Sequence, residues 1–119
     1  MRSPGEVLRS VKKGNIDSVY FLLGADYFLQ NLIIREISKI IFNEIEENKT
    51  FLSPDDMKSE EIIDRITQSD LFSTKRILVL RNPGTLRSKA RSDFISYCKN
   101  PMLNNYLIII EDDLVIENL

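Results

Sequence analysis

The chain has 119 residues, 43% of them hydrophobic and 29% charged, with a net charge of -2. That length suits a single domain with its own buried core, and the charge gives no overall attraction to nucleic acid or anionic membrane. With no histidine and a single cysteine, Cys98, the sequence excludes Ser-His-Asp and Cys-His catalysis, histidine-ligated metals, an internal disulfide and a cysteine-rich zinc site.

In chain order, a polar N-terminal segment is predicted to be helical from Gly5 to Lys13. It carries basic residues but no following apolar core of a signal peptide. Val19 to Leu23 is a short apolar run closed by Gly24, the pattern of a strand covered on both faces. Asp26 then stands where a helix cap belongs. Leu29, Leu32, Ile33, Ile37, Ile40, Ile41 and Ile45 follow helical spacing, predicting a long helix that ends near Asn48.

Residues 50–52 read as a short strand, followed by the turn sequence Ser53-Pro54-Asp55-Asp56. Ile62, Ile63 and Ile66 form one stripe behind Glu60 and Glu61, which favours a short helix with acids at its positive end. Ile77 to Leu80 is a second buried strand, ended by Asn82-Pro83-Gly84. From Leu86 to Lys99 a basic segment carries the stripe Leu86, Ala90, Phe94, Ile95 and Cys98, closed by Asn100-Pro101. Tyr106 to Ile110 is the most strand-like run, and far short of a membrane span. Strands alternating with helices predict an α/β domain built on a parallel sheet.

A strand, a glycine and then a long helix is also the frame of a phosphate-binding loop. In such a loop the glycine is followed by four residues and then Gly-Lys-Ser/Thr, which cradle phosphate and magnesium. Here Leu29, Gln30 and Asn31 stand at those positions, and Asp26 with two aromatics, Tyr27 and Phe28, would occupy or repel a phosphate. Glu111, Asp112 and Asp113 end the last strand as magnesium-binding acids do. Without the cradle they read better as a solvated turn or a helix start. Lys12-Lys13-Gly14-Asn15 and the set Arg81, Arg87, Lys89, Arg91 and Lys99 suit phosphate contacts, although a solvated helix face is the plainer reading. No cofactor, metal or catalytic residue is expected.

One connector stands out. Leu71 and Phe72 lie side by side in the polar stretch Gln68 to Arg76. From the residues alone they either fold back under the preceding helix or stand exposed as anchors for a partner. Lys75 and Arg76 then meet acidic groups or solvate the start of the next strand.

The series "VYFLLGADYFLQNLIIREI", "LFSTKRILVLRN", a basic helix, "NP" and "NNYLIIIEDD" resembles the N-terminal domain of the delta subunit of bacterial DNA polymerase III, from about Ser18 to Asp113. The resemblance implies a RecA-like α/β fold of the AAA+ type with a degenerate phosphate-binding loop. It implies a cytoplasmic, non-catalytic clamp-loader subunit that binds the ring-shaped sliding clamp, the beta subunit, and springs one of its interfaces during DNA replication. The family's clamp-binding element is an apolar pair after a short helix; Leu71 and Phe72 match it, with Ser69, Asp70 and Ser73 as a polar rim. Delta subunits also carry a lid-like domain and a collar that joins the other loader subunits. Residues 1–119 are therefore expected to be a single, truncated N-terminal domain, with DNA reached through the full complex. The acids from Glu111 to Asp113 are denser than the family pattern. Two other classes stay open: a magnesium- and nucleotide-binding enzyme using Glu111 and Asp112, and a stand-alone nucleic-acid-binding domain using the helix from Arg87 to Lys99.

Overall fold

The structure, a computed structural model, describes residues 4–24, 26–42, 49–68 and 75–111. Its elements are α1 (Pro4–Lys12), β1 (Val19–Leu23), α2 (Tyr27–Phe42), β2 (Lys49–Leu52), α3 (Ser59–Thr67), β3 (Arg76–Arg81), a 3-10 turn (Pro83–Thr85), α4 (Ser88–Lys99) and β4 (Asn105–Glu111). The four strands pair in parallel in the order β1-β4-β3-β2. This is the α/β architecture expected from the alternation of apolar runs.

The sheet sorts its side chains by the two-residue period of a strand. Ile77 and Val79 of β3, with Ile108 and Ile110 of β4, face α1 and α2, where Val11, Ile33 and Ile37 meet them. Leu78 and Leu80, with Leu107 and Ile109, face α3, α4 and the turn before α4, where Ile62, Ile66, Phe94 and Leu86 close the second core. Residues 107–110 are wholly buried; a central parallel strand covered by helices on both sides has no polar face to show. By area, each such side chain stabilises the fold by about 1.5–3 kcal/mol relative to exposure.

Three features depart from the sequence reading. Among the described strands β1 and β2 form the two edges of the sheet. In β1 only Tyr20 and Leu22 are buried, while Val19, Phe21 and Leu23 are half-exposed. Val19 and Phe21 instead line an apolar groove of about 320 Å³ beside Phe94, Ile95 and Cys98. That groove also corrects the stripe of α4. Its buried residues are Ala90, Phe94 and Tyr97, whereas Ile95 is 45% exposed and Cys98 half-buried. Burial raises the Cys98 thiol pKa above its ordinary value, because the thiolate loses hydration there. On α2 the buried face includes Gln30, Ile34 and Ser38, and Ile40 lies exposed. The predicted helix end near Asn48, with Ile45, lies outside the described residues.

Candidate functional site

At the carboxyl end of the sheet, β1 turns into α2 through Gly24. Its φ of 100° is open to glycine and strained for other residues. The Gly24 N–H donates to the Glu111 carbonyl at 2.9 Å, which holds the turn against β4. Asp26 then caps α2: its Oδ1 accepts from the Leu29 N–H at 3.0 Å and its carbonyl from the Gln30 N–H at 3.0 Å. Gln30, only 4% exposed, donates Nε2 to the Gly24 carbonyl at 2.6 Å, while its Oε1 has no partner among the described residues. The Gly24, Leu29 and Gln30 N–H groups are thus all bonded within the protein.

Tyr27 and Phe28 do not fill this turn. Phe28 is 80% exposed, and the Tyr27 ring lies 5.4 Å from the Arg81 guanidinium, stacked with a cation from β3. Glu111 is nearly buried and accepts from the Gly84 N–H through Oε2 at 3.2 Å, so it also ties the β3–α4 turn to β4. Asp112 and Asp113 lie outside the described residues. Among the described residues no group of three or more His, Cys, Asp or Glu side chains is gathered to hold a metal.

Part of the basic set is engaged within the protein. Arg81 stacks on Tyr27 of α2, Lys89 pairs with Asp93 along α4 at 3.2 Å, and Arg91 donates to the Gly84 carbonyl at 3.1 Å. No helix among the described residues is long and apolar enough to cross a membrane.

At the opposite end of the sheet, α3 stops at Thr67, whose hydroxyl donates back to the Ile63 carbonyl at 2.8 Å. Gln68 has φ -62° and ψ 123°, which takes the chain out of the helix in an extended direction. Ser69, Asp70, Leu71, Phe72 and Ser73, the clamp-binding candidates, lie outside the described residues, which resume at Lys75. The two sides of that connection are joined by a polar network that the sequence reading missed. Arg76, at the start of β3, donates from one terminal nitrogen to the Gln68 carbonyl at 2.7 Å and toward the Ile66 carbonyl at 3.5 Å. Its Nε donates to Asn105 Oδ1 at 3.0 Å, and Asn105 Nδ2 donates to the Ile66 carbonyl at 3.2 Å.

Arg76 thus meets backbone carbonyls and an amide, in place of the acidic groups or open solvent expected for it. The signal available in the sequence was Asn105, a polar residue heading the apolar run from Tyr106 to Ile110. A buried amide at the head of a central strand implies a specific partner.

A family profile described as "DNA polymerase III, delta subunit" matches residues 20–116. Among solved structures, the chain is similar to the Bacillus subtilis DNA clamp loader delta protein (YqeN), with a TM-score of 0.71 at 18% identity. The alignment covers 94% of this chain and 37% of that protein, so this chain spans little more than a third of its relative's length. At this identity the likeness concerns the fold. No curated protein sequence matches the chain. The profile runs from β1 through β4 and includes both polar junctions, and on that match the chain belongs to the DNA polymerase III delta subunit family.

Proposed function

We propose that this chain acts as the N-terminal, AAA+-like domain of a clamp-loader delta subunit, one that grips the sliding clamp and helps open the ring. The observation that carries the reading is the family profile over residues 20–116, a span that contains the connection between α3 and β3. In this reading Leu71 and Phe72 are the grip, and Ser69, Asp70 and Ser73 form its polar rim. The domain works in the cytoplasm without catalysis of its own. Contacts with other loader subunits and with DNA belong to the rest of a full-length delta subunit.

The β1–α2 turn supports a role that needs no nucleotide on this chain. Asp26 already accepts from the Leu29 and Gln30 N–H groups, and Gln30, in place of the lysine of a phosphate loop, is turned back onto Gly24. A carboxylate held at that point opposes a second anion.

The energetics suit a two-residue anchor. An exposed Leu and Phe each gain roughly 1.5–3 kcal/mol on entering an apolar pocket, before the costs of association. Grip alone does not open a ring: a ligand with equal affinity for closed and sprung clamp shifts neither. The pair must fit the sprung interface better, and the sheet with its two cores supplies the rigid body against which that preference acts.

Replacing both Leu71→Ala and Phe72→Ala is expected to reduce binding to a purified clamp ring by at least about a hundredfold, matching the loss of two hot-spot side chains. The thermal midpoint should stay within a few degrees of the parent. Retained binding together with a large fall in midpoint would reassign the pair to the core under α3 and end the reading.

A further inference from the structure

We infer that Arg76 and Asn105 are positioning residues for clamp binding: they tie Gln68 and Arg76, on either side of the α3–β3 connection, to the head of β4, and so raise the affinity of the domain for its clamp. This inference rests on the reading of Leu71 and Phe72 as the grip.

Asn105 is 5% exposed at the start of a central strand whose residues 107–110 are apolar and wholly buried. A buried carboxamide is costly unless both its ends are bonded. Here Oδ1 accepts from Arg76 and Nδ2 donates to Ile66, so the amide is used in both directions and reads β3 and α3 at once. Arg76 and Asn105 also sit opposite each other in the β3–β4 register, which fixes their separation through the sheet.

The guanidinium completes the staple. Its planar fork directs Nε to Asn105 and a terminal nitrogen to Gln68 and Ile66. A lysine, with a single point of donors, cannot span the same set. Gln68 is the last described residue before the connection and Arg76 the second after it. The 2.7 Å bond between them therefore closes the chain across the connection itself. Holding both ends in place lowers the ordering cost that any segment incurs when it binds.

A plainer role for the same contacts is to cap α3, whose last carbonyls lack helical donors. The two roles differ in what they predict for a fully folded variant. Capping alone changes the folded fraction and leaves the affinity of folded molecules untouched. Positioning changes that affinity.

The experiment measures clamp binding for Arg76→Lys, Arg76→Met and Asn105→Asp, each at a temperature well below its own thermal midpoint, beside the Leu71→Ala, Phe72→Ala double variant. A synthetic peptide of residues 68–75 is measured against the same clamp. The expected result is a loss of about tenfold to a hundredfold in affinity for each staple variant, as expected for removing bonds that pre-order a segment. The free peptide should bind more weakly than the parent domain by a similar factor. Parent-level affinity in folded Arg76→Met and Asn105→Asp overturns the positioning role, as does a peptide that binds as tightly as the domain. A peptide that binds as tightly as the domain overturns the positioning role even where a variant does not fold. If the double variant keeps its binding, the grip reading itself fails and the staple falls with it. If the double variant loses binding and the staple variants do not, only the staple is lost.

Discussion

The two ends of the sheet solve the same problem in opposite ways. At the carboxyl end, the turn from β1 into α2 satisfies its polar groups largely from within: Asp26 caps residues three and four places on, and Gln30 reaches back to Gly24. At the amino end, the passage from α3 to β3 takes its bonds from afar. Asn105 lies 39 residues from Ile66 and 29 from Arg76. The local solution makes a closed turn, in which the Gly24, Leu29 and Gln30 N–H groups are already bonded. The long-range one makes a junction whose geometry depends on three elements at once.

The comparison breaks most visibly at Asn105. Asn105→Leu fills the same space but leaves the Arg76 Nε without its partner and the Ile66 carbonyl with only the longer 3.5 Å contact from Arg76, and an orphaned buried group costs about 1–3 kcal/mol. A loss of that size lowers the midpoint by roughly 4–8 °C per kcal/mol in a domain of about this length. Thermal unfolding monitored by circular dichroism measures it. An unchanged midpoint would mean that water replaces the amide at no cost and that the junction is looser than its bond lengths imply.

How much of this was legible in the residues follows from the same contrast. The strands and α3 could be read because apolar runs and stripes are local patterns. The Asp26 cap was readable for the same reason, since a cap needs only the three residues that follow it. The stripe of α4 was misread at Ile95 because sequence spacing does not tell which strand forms the sheet edge. With β1 at the edge, that side of α4 overlooks an open groove, and Tyr97 takes the buried place. Arg76 and Asn105 escaped because their meeting depends on parallel register between β3 and β4, which no short window contains. Leu71 and Phe72 were singled out by composition, two large apolar residues in a polar connector. Their assignment to the clamp came from the family resemblance, and the family itself is supported by the profile match.

A second, smaller effect sharpens the contrast. Asp26→Ala removes the cap of α2, and such losses cost about 0.5–2 kcal/mol. Because β4 spans the sheet with seven residues, the two ends lie roughly 20 Å apart at the usual rise per strand residue. The Asp26 and Asn105 substitutions should therefore add within about 0.5 kcal/mol, as distant sites do. A larger coupling in a double-mutant cycle would show that the ends communicate through the sheet.

Gln30 gives the finest test, because its side chain carries one bond and one debt. Its Nε2 holds the Gly24 carbonyl at 2.6 Å, yet Oε1 is buried with no partner among the described residues. Gln30→Met keeps the volume and the helix propensity while removing both groups. The lost bond destabilises by about 1 kcal/mol, and relief of the unpaired oxygen offsets a comparable amount. The net change should stay within about 1 kcal/mol of the parent by denaturant unfolding. A loss well beyond that would mean that Oε1 is bonded in solution, to a bound water or ion held beneath the start of α2. The turn would then contain a site after all, and the closed character assigned to this end of the sheet would have to be given up.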